Sequence, residues 1–355
     1  MRKFYYTPGP SELYFTVEKH MREALQKGIG SIHHRSDTFH EIYEQSVQNL
    51  RILFGLKEDF EVLFLNSATE IMERIIQNTV KQKSMHLVNG AFSERFYKTA
   101  LKIGKDARLV ESEWGDFPGI PDPNDQELIA ATINETSTGV TAPLQDLYDA
   151  RDKNPEALLA VDVVSSAPYD VLDFDRIDMA FLSVQKCFGL PPGLGVLLVN
   201  TRAIQKANEV HDYNPELPGF HSFPKLVENA RKRETTETPN SLGIYLLSKV
   251  TEDMITKGMD QIRREINYKA AVLYQAMEAS PLLEPFVKEL SLRSKTVIVG
   301  KTEAQDRILE HLNQKGILAG KGYGRFKKEH IRFANFPTHS KEQVEQIADY
   351  IMELK

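Results

Sequence analysis

Short apolar runs alternate with amphipathic stretches through the first two thirds of the chain. Compact runs of four to seven residues, rich in aliphatic side chains, predict buried β-strands. Each run is followed directly by small or polar residues. These segments are EVLFL at 61–65, SMHLVNG at 84–90, ELIAATINET at 127–136, EALLAVDVVSS at 156–166, DMAFLSVQK at 178–186 and LGVLLVN at 194–200.

Before the first run and between later ones the apolar spacing is helical, at residues 17–25, 39–54, 70–80 and 94–103. Strands that alternate with helices predict an α/β fold whose large sheet is mainly parallel and covered by helices on both faces. In such sheets ligands bind at the carboxyl ends of the strands. The polar residues that follow each apolar run are therefore the first candidates for a site.

The pattern changes in the last third of the chain. A long helical stretch at about 230–279 is interrupted near 238–241, and a strand, a helix, a strand and a final helix N-capped by Ser340 follow. This pattern predicts a large domain at 16–251 and a small C-terminal α/β domain at 252–355. The N-terminal residues 1–15 are expected to pack near the active site.

Composition narrows the function classes. The 355 residues are 41% hydrophobic and 26% charged, with a net charge of −6, so no basic face for nucleic acid is expected. No apolar run approaches the roughly 20 residues of a membrane span, and no signal peptide is recognised. Cys187 is the single cysteine and cannot form an internal disulfide. We expect a cytoplasmic protein without a metal site.

Two strand ends carry small or aromatic residues that could hold a cofactor. Ser67, Ala68 and Thr69 follow EVLFL at a helix start, where backbone N–H groups favour a phosphate. A plain N-cap is the alternative interpretation. Phe92 follows the next strand, and its ring is either a plate for a planar cofactor or a core residue.

The next two strands end in ionisable residues. Asp162 follows one apolar run and Lys186 follows the next, so a carboxylate and an amine are expected at the same sheet edge. A buried lysine with a neutral amine can bind an aldehyde covalently, and an aspartate can keep a pyridine nitrogen protonated. Together with the aromatic ring and the phosphate-binding turn, this set indicates pyridoxal 5′-phosphate (PLP).

The chain resembles the fold-type I, class V aminotransferases over nearly its whole length. The resemblance rests on the segments TPGPSEL, SIHHRSDTFHEIYEQSVQNLRILFGL, VLFLNSATE, NETSTGV, VDVVSS, SVQKCFGLPPGLGV, ETPNSLGIYLL and IRFANFPTHS. It implies a seven-stranded sheet, PLP as cofactor and a homodimer with shared active sites. By this resemblance Lys186 and Asp162 are catalytic, Phe92 stacks on the cofactor in place of a common tryptophan, and Thr136 bonds its 3-hydroxyl group.

The resemblance also assigns the remaining ligands. Gln185 would bind the cofactor phosphate with Ser67, Ala68 and Thr69, and Thr238 would reach it from the second subunit. Glu237 stands where the family has asparagine.

Arg332 would bind the substrate α-carboxylate. His34 and Arg35 would bind a substrate phosphate across the dimer.

The pair His34–Arg35 favours the branch of the family that makes O-phospho-L-serine and 2-oxoglutarate from L-glutamate and 3-phosphohydroxypyruvate. The alternative is a transaminase that uses alanine or serine with glyoxylate or pyruvate, towards which the NSAT segment leans. A cysteine desulfurase or other lyase is disfavoured, because the only cysteine adjoins Lys186. A nucleotide-binding module is disfavoured because GLPPGLG lacks the GxGxxG spacing.

Overall fold

The computed structural model describes residues 3–214 and 219–354, which form eleven α-helices and fourteen strands. The helices are α1 (Val17–Gln26), α2 (Asp37–Phe54), α3 (Ala68–Thr79), α4 (Ala91–Lys102), α5 (Leu144–Lys153), α6 (Thr201–Tyr213), α7 (Phe223–Ala230), α8 (Ser241–Lys257), α9 (Met259–Ala279), α10 (Gln305–Gln314) and α11 (Lys341–Glu353). The strands are β1 (Phe4–Tyr6), β2 (Phe60–Leu65), β3 (Lys83–Val88), β4 (Asp106–Glu111), β5 (Leu128–Thr132), β6 (Asn134–Glu135), β7 (Val140–Thr141), β8 (Leu158–Asp162), β9 (Met179–Ser183), β10 (Gly195–Asn200), β11 (Glu284–Pro285), β12 (Val297–Lys301), β13 (Ile317–Lys321) and β14 (His330–Ala334). Residues 1, 2 and 355, which the predicted end segments include, lie outside the described residues.

The large sheet has seven strands in the order β2-β10-β9-β8-β5-β3-β4. The strands β9, β8, β5, β3 and β4 are parallel to one another, whereas β10 runs antiparallel to both β2 and β9. Strands β5, β8, β9 and β10 are buried at every residue, as expected for a sheet covered on both faces. The predicted α/β fold with a mainly parallel seven-stranded sheet is confirmed.

Alternate side chains of these strands enter two hydrophobic cores. On β2, Val62 and Phe64 pack in the core shared with α2, α5 and α8, while Leu63 and Leu65 pack in the core shared with α3, α4, α6 and α7. This alternation fixes the strand register, because a slip of one residue would exchange the two faces. The carboxyl ends of β5, β8 and β9 consequently lie side by side.

A second sheet of five strands, in the order β1-β13-β14-β12-β11, packs with α9, α10 and α11. Its edge strand β1 comes from the N-terminus and pairs in parallel with β13. The chain start is thereby tied to the C-terminal unit. The predicted boundary between residues 251 and 252 falls inside α8.

Most predicted elements lie within a few residues of the observed ones, and the final helix begins with the expected cap. The Ser340 side chain accepts a hydrogen bond from the Gln343 N–H, and the Gln343 side chain accepts one from the Ser340 N–H. The long helical stretch differs from the prediction, since α7 ends at Ala230 and α9 follows a second break at Gly258, whose φ is 86°. No helix in residues 3–214 and 219–354 is long and apolar enough to cross a membrane.

Candidate active site

Lys186 lies in the loop that follows β9, with only 7% of its surface exposed. Its Nζ donates to Thr136 Oγ1 over 2.8 Å and lies 4.8 Å from the centroid of the Phe92 ring. Burial lowers the pKa of this amine to about 8, although the charge of Asp162 opposes the shift. Gly9 packs against the lysine, and a Cβ built at Gly9 would lie 2.8 Å from Lys186 Cε.

Asp162 is the last residue of β8 and is 4% exposed. Its carboxylate accepts a hydrogen bond of 2.8 Å from the Val164 N–H. Burial raises its pKa to about 6, while that hydrogen bond and the charge of Lys186 lower it. A cationic partner at this carboxylate would offset the burial penalty.

The N-terminus of α3 lies at the same sheet edge. Ser67 caps the helix by accepting from the Glu70 N–H, and the Ala68 N–H donates to Ser183 Oγ over 2.8 Å. Among the described residues, nothing accepts from the Thr69 N–H. This turn therefore keeps donor capacity and positive helix-end potential for a phosphate.

Phe92 begins the first turn of α4, where the buried Glu135 fixes the backbone. The Glu135 carboxylate accepts from the Phe92 N–H (3.1 Å), the Ser93 N–H (2.9 Å) and the Ser137 hydroxyl (2.7 Å). Glu135 is fully buried, so these charge-assisted bonds hold the helix start rigidly against β6. The aromatic plate is thus positioned by a carboxylate from the neighbouring strand end.

Arg332 extends from β14 towards the large sheet and is held by two carbonyl groups. Its Nε donates to Lys321 O over 2.8 Å, and its Nη1 donates to Thr136 O over 3.1 Å. Burial lowers its pKa to about 10, while the charge of Glu135 opposes the shift. The guanidinium reaches the Thr136 backbone and therefore lies close to the lysine that Thr136 contacts.

These residues line one cavity of about 210 Å³. Among its lining residues are nine of the predicted site residues: Ser67, Ala68, Thr69, Phe92, Thr136, Asp162, Gln185, Lys186 and Arg332. The sequence did not single out the other lining residues individually, although three of them fall in the N-terminal segment expected near the site; they are Pro8, Gly9, Pro10, Met72, Arg95, Val164, Ser183 and Tyr323. The TPGP segment and the serine that ends β9 were available signals, whereas nothing in the pattern singled out Arg95 or Tyr323.

The remaining predicted residues lie outside this cavity. The Arg35 side chain is 58% exposed, and its Nε lies 3.6 Å from the Glu234 carboxylate. Thr238 is exposed and His34 is partly exposed. Their assignment to the site of a second subunit stays a prediction.

The cavity fits PLP. Asp162 is a buried carboxylate that a protonated pyridine nitrogen would satisfy, and the α3 N-terminus offers donors to a phosphate. Lys186 presents an amine of lowered pKa, and the Phe92 ring faces it. No cluster of three or more His, Cys, Asp or Glu within the described ranges could hold a metal ion.

The chain is similar to known aminotransferases. The model of the family "Aminotransferase class-V" matches residues 121–324. The phosphoserine aminotransferase of Rhodococcus opacus is 30% identical, over 97% of this chain and 92% of that protein.

Two solved structures extend the likeness. A phosphoserine aminotransferase from Cytophaga hutchinsonii is 45% identical, with a TM-score of 0.95 over 99% of this chain and 98% of that one. An aspartate aminotransferase of subgroup IV from Thermus thermophilus is 25% identical, with a TM-score of 0.85 over 99% and 98% of the two chains.

Proposed function

Since this chain belongs to the class V aminotransferase family and is a PLP-dependent transaminase, we propose that it transfers the amino group of L-glutamate to 3-phosphohydroxypyruvate. The products are 2-oxoglutarate and O-phospho-L-serine. The observation that carries this choice of substrates is the 45% identity, over nearly the full length, to a phosphoserine aminotransferase of the same fold.

Lys186 and Asp162 are the proposed catalytic residues. PLP, when bound, would supply an aldehyde for the substrate amine and an electron sink for the substrate Cα. Lys186 would hold the cofactor covalently at rest and would move the proton at the substrate Cα. Asp162 keeps the pyridine nitrogen protonated, and the lowered pKa of Lys186 keeps part of its amine neutral near neutral pH.

The other cavity residues bind and orient. Phe92 stacks on the ring, Thr136 bonds the 3-hydroxyl group, and Arg332 binds the substrate α-carboxylate as a bidentate fork. The proposed phosphate ligands are Ser67, Ala68, Thr69 and Gln185.

We further propose a homodimer in which each chain completes the site of the other. His34 and Arg35 would meet the substrate phosphate, and Thr238 would meet the cofactor phosphate. Arg35 and Thr238 are exposed, His34 is partly exposed, and none of the three lines the cavity of its own chain, which supports this arrangement.

The substrate proposal is tested by steady-state assays of the purified full chain with L-glutamate as donor. We expect kcat/KM for 3-phosphohydroxypyruvate to exceed that for glyoxylate or pyruvate at least a hundredfold, because a phosphate dianion adds charge-assisted bonds. A preference for glyoxylate or pyruvate would instead establish the alternative transaminase.

The shared site is tested by mixing two variants that should each be poor at aminating 3-phosphohydroxypyruvate at low concentration, Lys186→Ala and Arg35→Ala. After joint unfolding and refolding, about half of the dimers should be mixed, and each mixed dimer should have one intact site in two. Activity should recover to about one quarter of wild type. No recovery, with mixed dimers shown by tag pull-down, would place both residues in the site of one chain.

A further inference from the structure

Arg95 lines the cavity but has no role in the scheme above. It lies on α4, one turn after Phe92, and its Cζ is 5.4 Å from the Phe92 ring centroid. Nη1 donates to Thr69 Oγ1 over 3.4 Å, and Nη2 donates to the Tyr323 hydroxyl over 3.5 Å. The guanidinium therefore lies beside the Phe92 ring, between Thr69 and Tyr323.

Among the described residues no ion pair involves Arg95, whose guanidinium contacts two hydroxyl groups and the Phe92 ring. Its two contacts are long bonds to hydroxyl groups, whereas a guanidinium carries five donors. A half-buried guanidinium whose donors are mostly unused is suited to binding an anion.

The field of Arg95 reaches the centre of the cavity. Burial raises the pKa of Asp162, and the charge of Arg95 is among those that oppose this rise. Arg95 thus acts on the same small volume as Lys186 and Asp162.

The two contacts place Arg95 between two binding regions. Thr69 belongs to the proposed phosphate-binding turn, and the ring of Tyr323 lies 5.4 Å from Arg332 Cζ. Arg332 accounts for one anionic group of the substrate, the α-carboxylate. Both proposed amino-acid substrates carry a second anionic group at the end of the side chain.

We propose that Arg95 binds this distal anionic group, the side-chain carboxylate of glutamate or the phosphate of O-phosphoserine, from the same chain that provides Lys186. This inference rests on the proposed function, which supplies both of these amino acids. It makes Arg95 a residue that selects amino acids with two anionic groups over those with one.

The experiment compares the holoenzyme with Arg95→Gln and with Lys98→Gln, a control on the same helix. Lys98 is exposed, pairs with Glu94 over 2.6 Å, and its substitution also removes one positive charge. Half-reactions with L-glutamate, O-phospho-L-serine and L-alanine are followed by the change in cofactor absorbance. L-Alanine has no distal anion.

For each amino acid, the half-reaction gives the ratio of the maximal rate to the dissociation constant. We expect Arg95→Gln to lower this ratio about ten- to a hundredfold for glutamate and phosphoserine. The loss with L-alanine should be at least fivefold smaller, and Lys98→Gln should change each ratio less than twofold. Calorimetric titration gives a second readout, in which Arg95→Gln should weaken binding of 3-phosphoglycerate but not of D-glycerate.

An equal loss for all three amino acids, with weaker cofactor retention, would overturn the proposal and assign Arg95 to the cofactor phosphate. If Arg95→Gln lowers the Tm markedly, Arg95→Lys replaces it as the test variant, since lysine keeps the charge and loses the bidentate guanidinium. An Arg95→Lys enzyme whose preference for glutamate over alanine equals that of wild type would then also overturn the proposal. If the wild type does not react with phosphoserine, the proposed function fails, and the glutamate-to-alanine ratio still decides the role of Arg95.

Discussion

The pKa of Lys186 leads to a quantitative prediction about cofactor attachment. Only the neutral amine attacks an aldehyde, and burial lowers this pKa from 10.5 to about 8. At pH 7.5 about a quarter of the Lys186 amines would be neutral, against roughly 0.1% for an ordinary lysine. The environment of the strand end therefore raises the reactive fraction by about 200-fold.

The assay mixes apoenzyme with PLP between pH 6 and 10 and measures covalent attachment by borohydride reduction and peptide mass analysis. The rate with Nα-acetyl-lysine is first divided by the neutral fraction of that amine at the same pH, and the enzyme rate is then divided by this quotient, which corrects for titration of the cofactor itself. The fraction of neutral Lys186 extracted in this way should rise about tenfold per pH unit below 8 and level off above it. Lys186→Ala should give no trapped product.

The variant Asp162→Asn tests how the charge of Asp162 changes the pKa of Lys186. The negative charge of Asp162 raises the pKa of Lys186, so its removal should move the midpoint of the profile to lower pH. A wild-type profile that keeps rising to pH 10 would show an unperturbed lysine and refute the argument. A midpoint that moves upward in Asp162→Asn would refute the assigned interaction.

Three further predictions concern the charged groups. Ionisation of buried Asp162 lowers the free energy of unfolding, because burial raises its pKa from 3.8 to about 6. This cost is absent below about pH 4, grows as the pH rises, and is complete above about pH 6. The Asp162→Asn apoprotein should therefore be more stable than wild type by up to about 3 kcal/mol at pH 8, and denaturant curves showing no gain would exclude this. Arg35→Ala should raise KM for O-phosphoserine about ten- to a hundredfold more than KM for glutamate. An equal rise in KM for both substrates would indicate a structural role. Arg332→Gln should lower kcat/KM about ten- to a hundredfold for every amino acid tested, L-alanine included, and a loss confined to phosphoserine would contradict α-carboxylate binding.

The sequence predicted the large sheet well because its central strands are buried on both faces and read as continuous apolar runs. Lys186 and Asp162 were found for the same reason, since each follows such a run. The edge strand β4 was missed because none of its side chains is fully buried, and β13 because only two of its five residues are buried.

The missed site residues illustrate a different limit. Arg95 stands beside Glu94 and three residues before Lys98, so its segment resembles any solvated helix face. Only the packing of Phe96 and Ala100 into the core decides which side of α4 faces the cavity. Tyr323 lies in a loop after β13, and its approach to Phe92 (5.3 Å between centroids) is a long-range contact that local periodicity does not encode.

The shifts at Asp162, Lys186 and Arg332 share one physical cause. Burial disfavours the charged form of each group, and in the polypeptide alone none is fully compensated. The proposed ligands would relieve each penalty with a specific group: a pyridine N–H at Asp162, an aldehyde at Lys186 and a carboxylate at Arg332. Binding of cofactor and substrate would remove the electrostatic penalty that the folded apoprotein has at this sheet edge. Removal of that penalty would strengthen their binding.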